Sequence, residues 1–150
     1  MGIHKPTTVG PARIAMHNLK HLKPGLVGTA SMQVGDEHTA ASVGSGRAPV
    51  LASPMMIALM EAAAVDCVER FLPEGLESLG IRVEVEHMAP TPLGFTVTAT
   101  AQLLEVNGRK LVFRVEARDA REIVGKGTHT RAVVDTHRFR SKAEAKLPLH

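Results

Sequence analysis

The 150-residue chain has no tryptophan and no tyrosine, four phenylalanines and one cysteine. With so little aromatic mass, the core has to be built from aliphatic and methionine side chains, and base-stacking platforms for nucleic acids are missing. A lone cysteine excludes an intrachain disulfide and any metal site made of several thiolates, and it suits a reducing cytoplasm. No apolar run approaches the roughly 20 residues that cross a membrane, and the first residues lack the apolar stretch of a signal peptide. Met1-Gly2 does not continue as a myristoylation motif, because Pro6 stands where Ser or Thr is required.

With 44% hydrophobic and 22% charged residues, the chain fits one globular domain with a core of useful size. The net charge is +3, and much of the basic excess lies in residues 17–23 and 137–146. Basic ends without interleaved aromatics are solvated ends, so a nucleic-acid partner is not expected. A modest positive field also favours an anionic metabolite, such as a nucleotide-bearing thioester. The expected division is an extension over 1–24, a folded domain over 25–138 and a loosely held basic tail over 139–150. His17 and His21 have a spacing that a metal could use, but no third ligand is near and two surface histidines suffice as an explanation.

Residues 53–72 predict the one long helix. At about 100° per residue, Ile57, Ala64, Val65, Val68 and Leu72 fall within roughly 60° of Glu61, while Asp66, Glu69 and Arg70 face away. Glu61 therefore interrupts the apolar stripe. A carboxylate there has to be paired, protonated or turned into a cavity, because an isolated buried charge costs several kcal/mol. A salt bridge at a partly wet subunit interface would also accommodate it. Ser53 reads as the N-cap with Pro54 opening the helix.

Residues 26–34 favour a first strand, and the small, polar residues 35–49 predict a mobile flap before the helix. Residues 81–88 alternate, with Ile81, Val83, Val85 and His87 on one face, so that His87 continues an apolar face as Glu61 breaks one. Residues 95–106 and Lys110–Arg118 alternate as well and are joined by Asn107-Gly108, a strong hairpin signal. The last strand is expected over 122–135, where Gly125 and Gly127 suggest a bulge or a close backbone approach. One helix with an apolar stripe beside an antiparallel meander predicts an α+β hotdog fold, a central helix wrapped by an antiparallel sheet, with dimerisation covering a sheet edge.

Four stretches carry a more specific signal: residues 53–61, residues 79–92 around His87-Met88-Ala89-Pro90-Thr91-Pro92, residues 95–101, and residues 125–133 from Gly125-Lys126-Gly127 to Val133. Together they resemble the fluoroacetyl-CoA thioesterase-like family of hotdog-fold thioesterases. The resemblance implies a hydroxyl role for Ser53, an acid/base or nucleophilic role for Glu61, and a base or orienting role for His87. It also sets Gly80 and Arg131 near the thioester and the CoA. It implies an acyl-CoA substrate; no cofactor or metal is expected, and the expected homodimer leaves open whether dimers pair into tetramers. The fluoroacetyl enzyme has an aromatic lid near the stretch before Ser53, whereas that stretch here contains no Phe, so the resemblance extends to thioester chemistry and not to fluoroacetyl selectivity.

Hydrolysing a thioester takes an attacking oxygen, a proton acceptor and a donor for the developing oxyanion. On one straight helix Ser53 and Glu61 stand about 12 Å apart along the axis, which points to a site completed across a dimer, with Glu61 and His87 meeting in one dry crevice. His129, on the same strand face as Arg131, is a supporting candidate. The competing readings are a non-catalytic hotdog module that binds acyl-CoA or another small ligand, and a hotdog hydratase. The hydratase's Asp/His motif is missing, since the helix contains no histidine.

Overall fold

The structure, a computed structural model, describes residues 19–148. Five strands form one antiparallel sheet: β1 (Val27–Gln33), β2 (Leu76–His87), β3 (Thr96–Asn107), β4 (Lys110–Arg118) and β5 (Ile123–Asp135), in the order β1-β3-β4-β5-β2. β1 and β2 are the sheet edges. The central helix, Ser53–Val68, lies across the inner face and packs mainly on β1 and β3.

Alternation decides which side chains face the helix. Val97, Ala99, Ala101 and Leu103 of β3 and Leu111, Phe113, Val115 and Ala117 of β4 are fully buried, as their period of two predicts. Small residues let the layers approach closely. A Cβ on Gly28 of β1 would run into the Ala63 carbonyl and the Cys67 backbone, so strand and helix touch main chain to main chain there. The Asp66 carboxylate ties the same edge by accepting the Thr29 N–H at 2.9 Å, where the sequence had suggested a solvated side chain.

Several expectations need correction. The α-helix ends at Val68 and tightens into a 3-10 turn over Glu69–Phe71 instead of running to Leu72. Its buried residues are Met56, Leu59, Met60, Ala63, Ala64, Cys67 and Val68, a face centred about 100° from Glu61. Glu61 is consequently at the margin of the buried face, on a flank where Ile57 is half-buried and Val65 exposed. β2 begins at Leu76, five residues earlier than its alternation suggested, because Gly75 (φ 88°) turns the chain sharply enough for Leu76 to pair at once with Asp135.

The flap contains a 3-10 turn at Asp36–His38 and a one-turn helix at Ala40–Val43 capped by Thr39. Nor is the C-terminal tail irregular: Asp135 accepts the Arg138 N–H at 2.9 Å and starts a solvated helix over Thr136–Glu144. At the other end, Leu19 and Leu22 are buried in the core, so the folded unit begins before residue 25. The rest of the expected extension, with His17, lies outside the described residues; His21 is exposed.

Candidate functional site

Ser53 is not the helix cap. Ala52 occupies the N-cap position, with Ser53 and Pro54 as the first two helical residues, and no side chain caps the helix. The Ser53 hydroxyl is therefore free for another partner, and its Oγ lies 2.7 Å from His87 Nδ1 at the end of β2. The other ring nitrogen, Nε2, is shielded from solvent and has no hydrogen-bond partner among the described residues. Desolvation pushes the His87 pKa below its ordinary 6.5, against an opposing pull from the Ala89 backbone. A neutral imidazole either donates Nδ1–H to Ser53 Oγ, which leaves the serine O–H free as a donor, or accepts the serine O–H at a bare Nδ1, according to its tautomer. The pair opens into a cavity of 280 Å³ whose walls include Ala40, Ser45, Val50, Met88 and Ala89.

A second cluster sits two turns along the same helix. Gly80 of β2 and Arg131 of β5 are directly paired, with Val83 opposite His129 one step along. Glu61 Oε2 is 3.8 Å from Arg131 Nη1. A Cβ on Gly80 would stand 2.6 Å from that same carboxylate oxygen and 3.0 Å from His129 Cε1, so glycine is what leaves room for Glu61. His129 is buried, its ring stacked on Phe113 with centroids 6.1 Å apart. Its Nδ1 lies 2.8 Å from the Arg82 carbonyl and its Nε2 3.1 Å from Arg131 Nη1. The carbonyl can only accept, so Nδ1 carries the proton and Nε2 accepts from the guanidinium. Desolvation is the main reason that the His129 pKa is lowered, consistent with this neutral form.

The candidates thus form two half-sites. Ser53 and His87 make one; Glu61, Gly80, His129 and Arg131 make the other. The eight helical steps from Ser53 to Glu61 rise about 12 Å along a straight helix, which sets the Ser53–His87 pair apart from Glu61 within one chain. Arg131 is only 5% exposed and points its guanidinium at Glu61, His129 and Ser78, leaving little of it for direct contact with a ligand. Sequence reasoning missed Ser78 and Glu69, which hold Arg131 from behind. Ser78 has no signal of its own in the sequence, and the helical period turns Glu69 away from the apolar stripe. A larger groove of 670 Å³ runs over the outer face of the sheet between Glu84, Glu86, Arg114 and Lys126, away from all these residues.

The family of fluoroacetyl-CoA-specific thioesterases matches residues 34–137. The fluoroacetyl-CoA thioesterase of Streptantibioticus cattleyicolor is 44% identical over 99 residues, which cover 66% of this chain and 71% of that protein. The chain belongs to the fluoroacetyl-CoA-specific thioesterase family. A solved structure of the fluoroacetyl-CoA enzyme FlK, a threonine-to-serine mutant in complex with acetyl-CoA, is similar with a TM-score of 0.80 and 37% identity, covering 85% of this chain and 100% of that one. A hot-dog-like protein from Thermanaerovibrio acidaminovorans gives a TM-score of 0.79 at 25% identity, covering 90% of this chain and 100% of that one. The curled five-stranded sheet around one helix is accordingly the hotdog fold, α+β as the sequence indicated. In this thioesterase-family chain the matched span includes the flap, the whole central helix, β2 to β5 and both half-sites.

Proposed function

We propose that the protein hydrolyses small acyl-CoA thioesters at a site completed between two copies of the chain. Thioester hydrolysis is the activity named for its family. The observation that carries the two-chain reading is the spacing: a Ser–His pair and a Glu–Arg cluster on one helix flank, about 12 Å apart, beside an edge strand with no partner on its outer side among the described residues.

On that strand Ile81 and Val83 are 53% and 39% exposed, although the alternation had assigned them inward, and Val65 on the neighbouring helix flank is 38% exposed. A bare edge with apolar side chains calls for a second copy. Two antiparallel β2 edges related by a twofold axis through Glu84 set the bulge at Gly80 and Ile81 beside the partner's His87. Glu61, which lies over Gly80, then faces the partner's Ser53 and His87 across one crevice, and the dimer contains two such crevices.

Each group has a defined task there. Ser53 O–H, its oxygen held by His87 Nδ1–H, donates to the thioester carbonyl oxygen and stabilises the oxyanion. The Glu61 carboxylate, aimed by Arg131, takes a proton from water as the water oxygen bonds to the carbonyl carbon. The tetrahedral intermediate collapses, the C–S bond breaks, and the proton held by Glu61 passes to the departing sulfur, which leaves the carboxylic acid and free CoA thiol. Ala40 and Ser45 of the flap and Val50 just after it, which border the cavity, are small or aliphatic, which favours short aliphatic acyl groups without selectivity for fluoroacetyl. We place the enzyme in the cytoplasm, where CoA esters are made and the buried Cys67 thiol stays reduced.

Release of free thiol from a panel of short acyl-CoAs tests the proposal. Turnover of at least one supports it, whereas binding of all without turnover supports a ligand-binding hotdog module instead.

A further inference from the structure

Arg131 is held from behind by two residues outside both half-sites, Ser78 and, through it, Glu69. Glu69, at the first position of the 3-10 turn that ends the central helix, has its Oε1 2.9 Å from Ser78 N and 3.0 Å from Ser78 Oγ. A serine hydroxyl has one proton, and the carboxylate can only accept. The Ser78 proton is therefore committed to Glu69 and its lone pairs turn the other way. There they accept from Arg131 Nε at 2.8 Å, while the Ser78 carbonyl accepts from Nη2 at 2.9 Å. With Nε and Nη2 fixed, Nη1 is aimed between His129 Nε2, at 3.1 Å, and Glu61 Oε2, at 3.8 Å. Ser78 is 3% exposed, so water does not compete for these bonds.

We propose that Glu69 and Ser78 are positioning residues of the active site: they act through Arg131, setting the direction of its Nη1 and with it the place of the Glu61 carboxylate. The proposal rests on the reading of Glu61 as a group that works on the thioester. It assigns a reason for a charged residue at the end of the helix and a serine at the start of β2 that packing alone does not require. Without Glu69 the Ser78 hydroxyl is free to turn its proton toward Arg131, and the acceptor for Nε is no longer held in one orientation.

Kinetics of acetyl-CoA hydrolysis in the full-length protein, with stability followed separately by thermal unfolding, test it. Glu69→Ala and Ser78→Ala are each expected to lower kcat about tenfold with KM changed less than about twofold, the mark of a misplaced group and not of lost substrate binding. In an Arg131→Met background, adding either substitution is expected to cost less than about twofold more, because the route through Arg131 is already cut. Losses that multiply in the double variants, or an unchanged kcat in Glu69→Ala, would overturn the proposal. Glu69 lies nearer the surface than Ser78, so its variant decides the matter if Ser78→Ala does not fold.

A second arm needs no substrate. In the wild type the Arg131 Nε–H should give a slowly exchanging ¹⁵N-coupled proton signal, lost in both Glu69→Ala and Ser78→Ala. Its persistence in both would refute the positioning role. If the wild type releases no thiol from any acyl-CoA, the hydrolase reading falls, and this signal still decides whether Glu69 and Ser78 orient Arg131.

Discussion

Ser53 Oγ and His87 Nδ1 are 2.7 Å apart, joined across 34 residues of sequence at the point where the central helix begins and β2 ends. The contact exists because the N-cap duty falls to Ala52, which releases the serine side chain from the helix backbone. Ser53→Ala is therefore expected to lower kcat by about tenfold to a hundredfold, the range for losing a positioned donor or proton carrier, while helix content by circular dichroism is unchanged. Ser53→Thr keeps the hydroxyl and should retain most of the rate. A helix that frays in Ser53→Ala with catalysis intact would restore the capping role.

Gly80 makes a separate point about space. A methyl group there would lie 2.6 Å from Glu61 Oε2 and 3.0 Å from His129 Cε1, and Gly80 is not among the glycines with positive φ, so alanine is tolerated by the backbone itself. Gly80→Ala is expected to fold and dimerise while its kcat falls about tenfold or more, because the carboxylate is pushed off its place. Wild-type kinetics in this variant would mean that Glu61 does not act from the observed position.

Buried His129 and half-buried His87 give a stability signature. Desolvation lowers the pKa of both His87 and His129 below 6.5. The unfolded chain therefore binds more protons than the folded one once the pH falls below about 6.5, and stability declines from there toward the depressed folded values. Thermal unfolding midpoints should drop between about pH 7 and pH 5. His129→Gln, whose side-chain oxygen can still accept from Arg131, should flatten part of that slope. An equal slope in this variant would remove His129 as a cause.

The strands and the helix were largely legible in the sequence because their signals are periodic. Leu111, Phe113, Val115 and Ala117 alternate, and Asn107-Gly108 marks the hairpin without help from the rest of the chain. Glu61 and His87 were recognisable as polar residues in apolar rows. What failed depended on neighbours far away in the chain. The first residues of β2 lie ahead of the alternation over 81–88, and only their pairing with Val133 and Asp135 makes them strand. Ser53 looked like a cap because its competing partner lies 34 residues away. The stripe around Glu61 was misplaced because Ile57 and Val65, apolar by type, lie on a flank that the chain alone leaves half covered. Ser78 and Glu69 carried no local signal at all, since each is ordinary until Arg131 arrives from β5.

Subunit complementation tests the shared crevice most directly. Ser53→Ala and Glu61→Gln chains, each nearly inactive alone, are mixed, dissociated, reassociated and assayed for thiol release. If one chain supplies Ser53 and His87 and the other Glu61, each mixed dimer regains one of its two sites, and statistical mixing should restore about a quarter of the wild-type rate. A mixture no more active than its separate components would contradict the two-chain site.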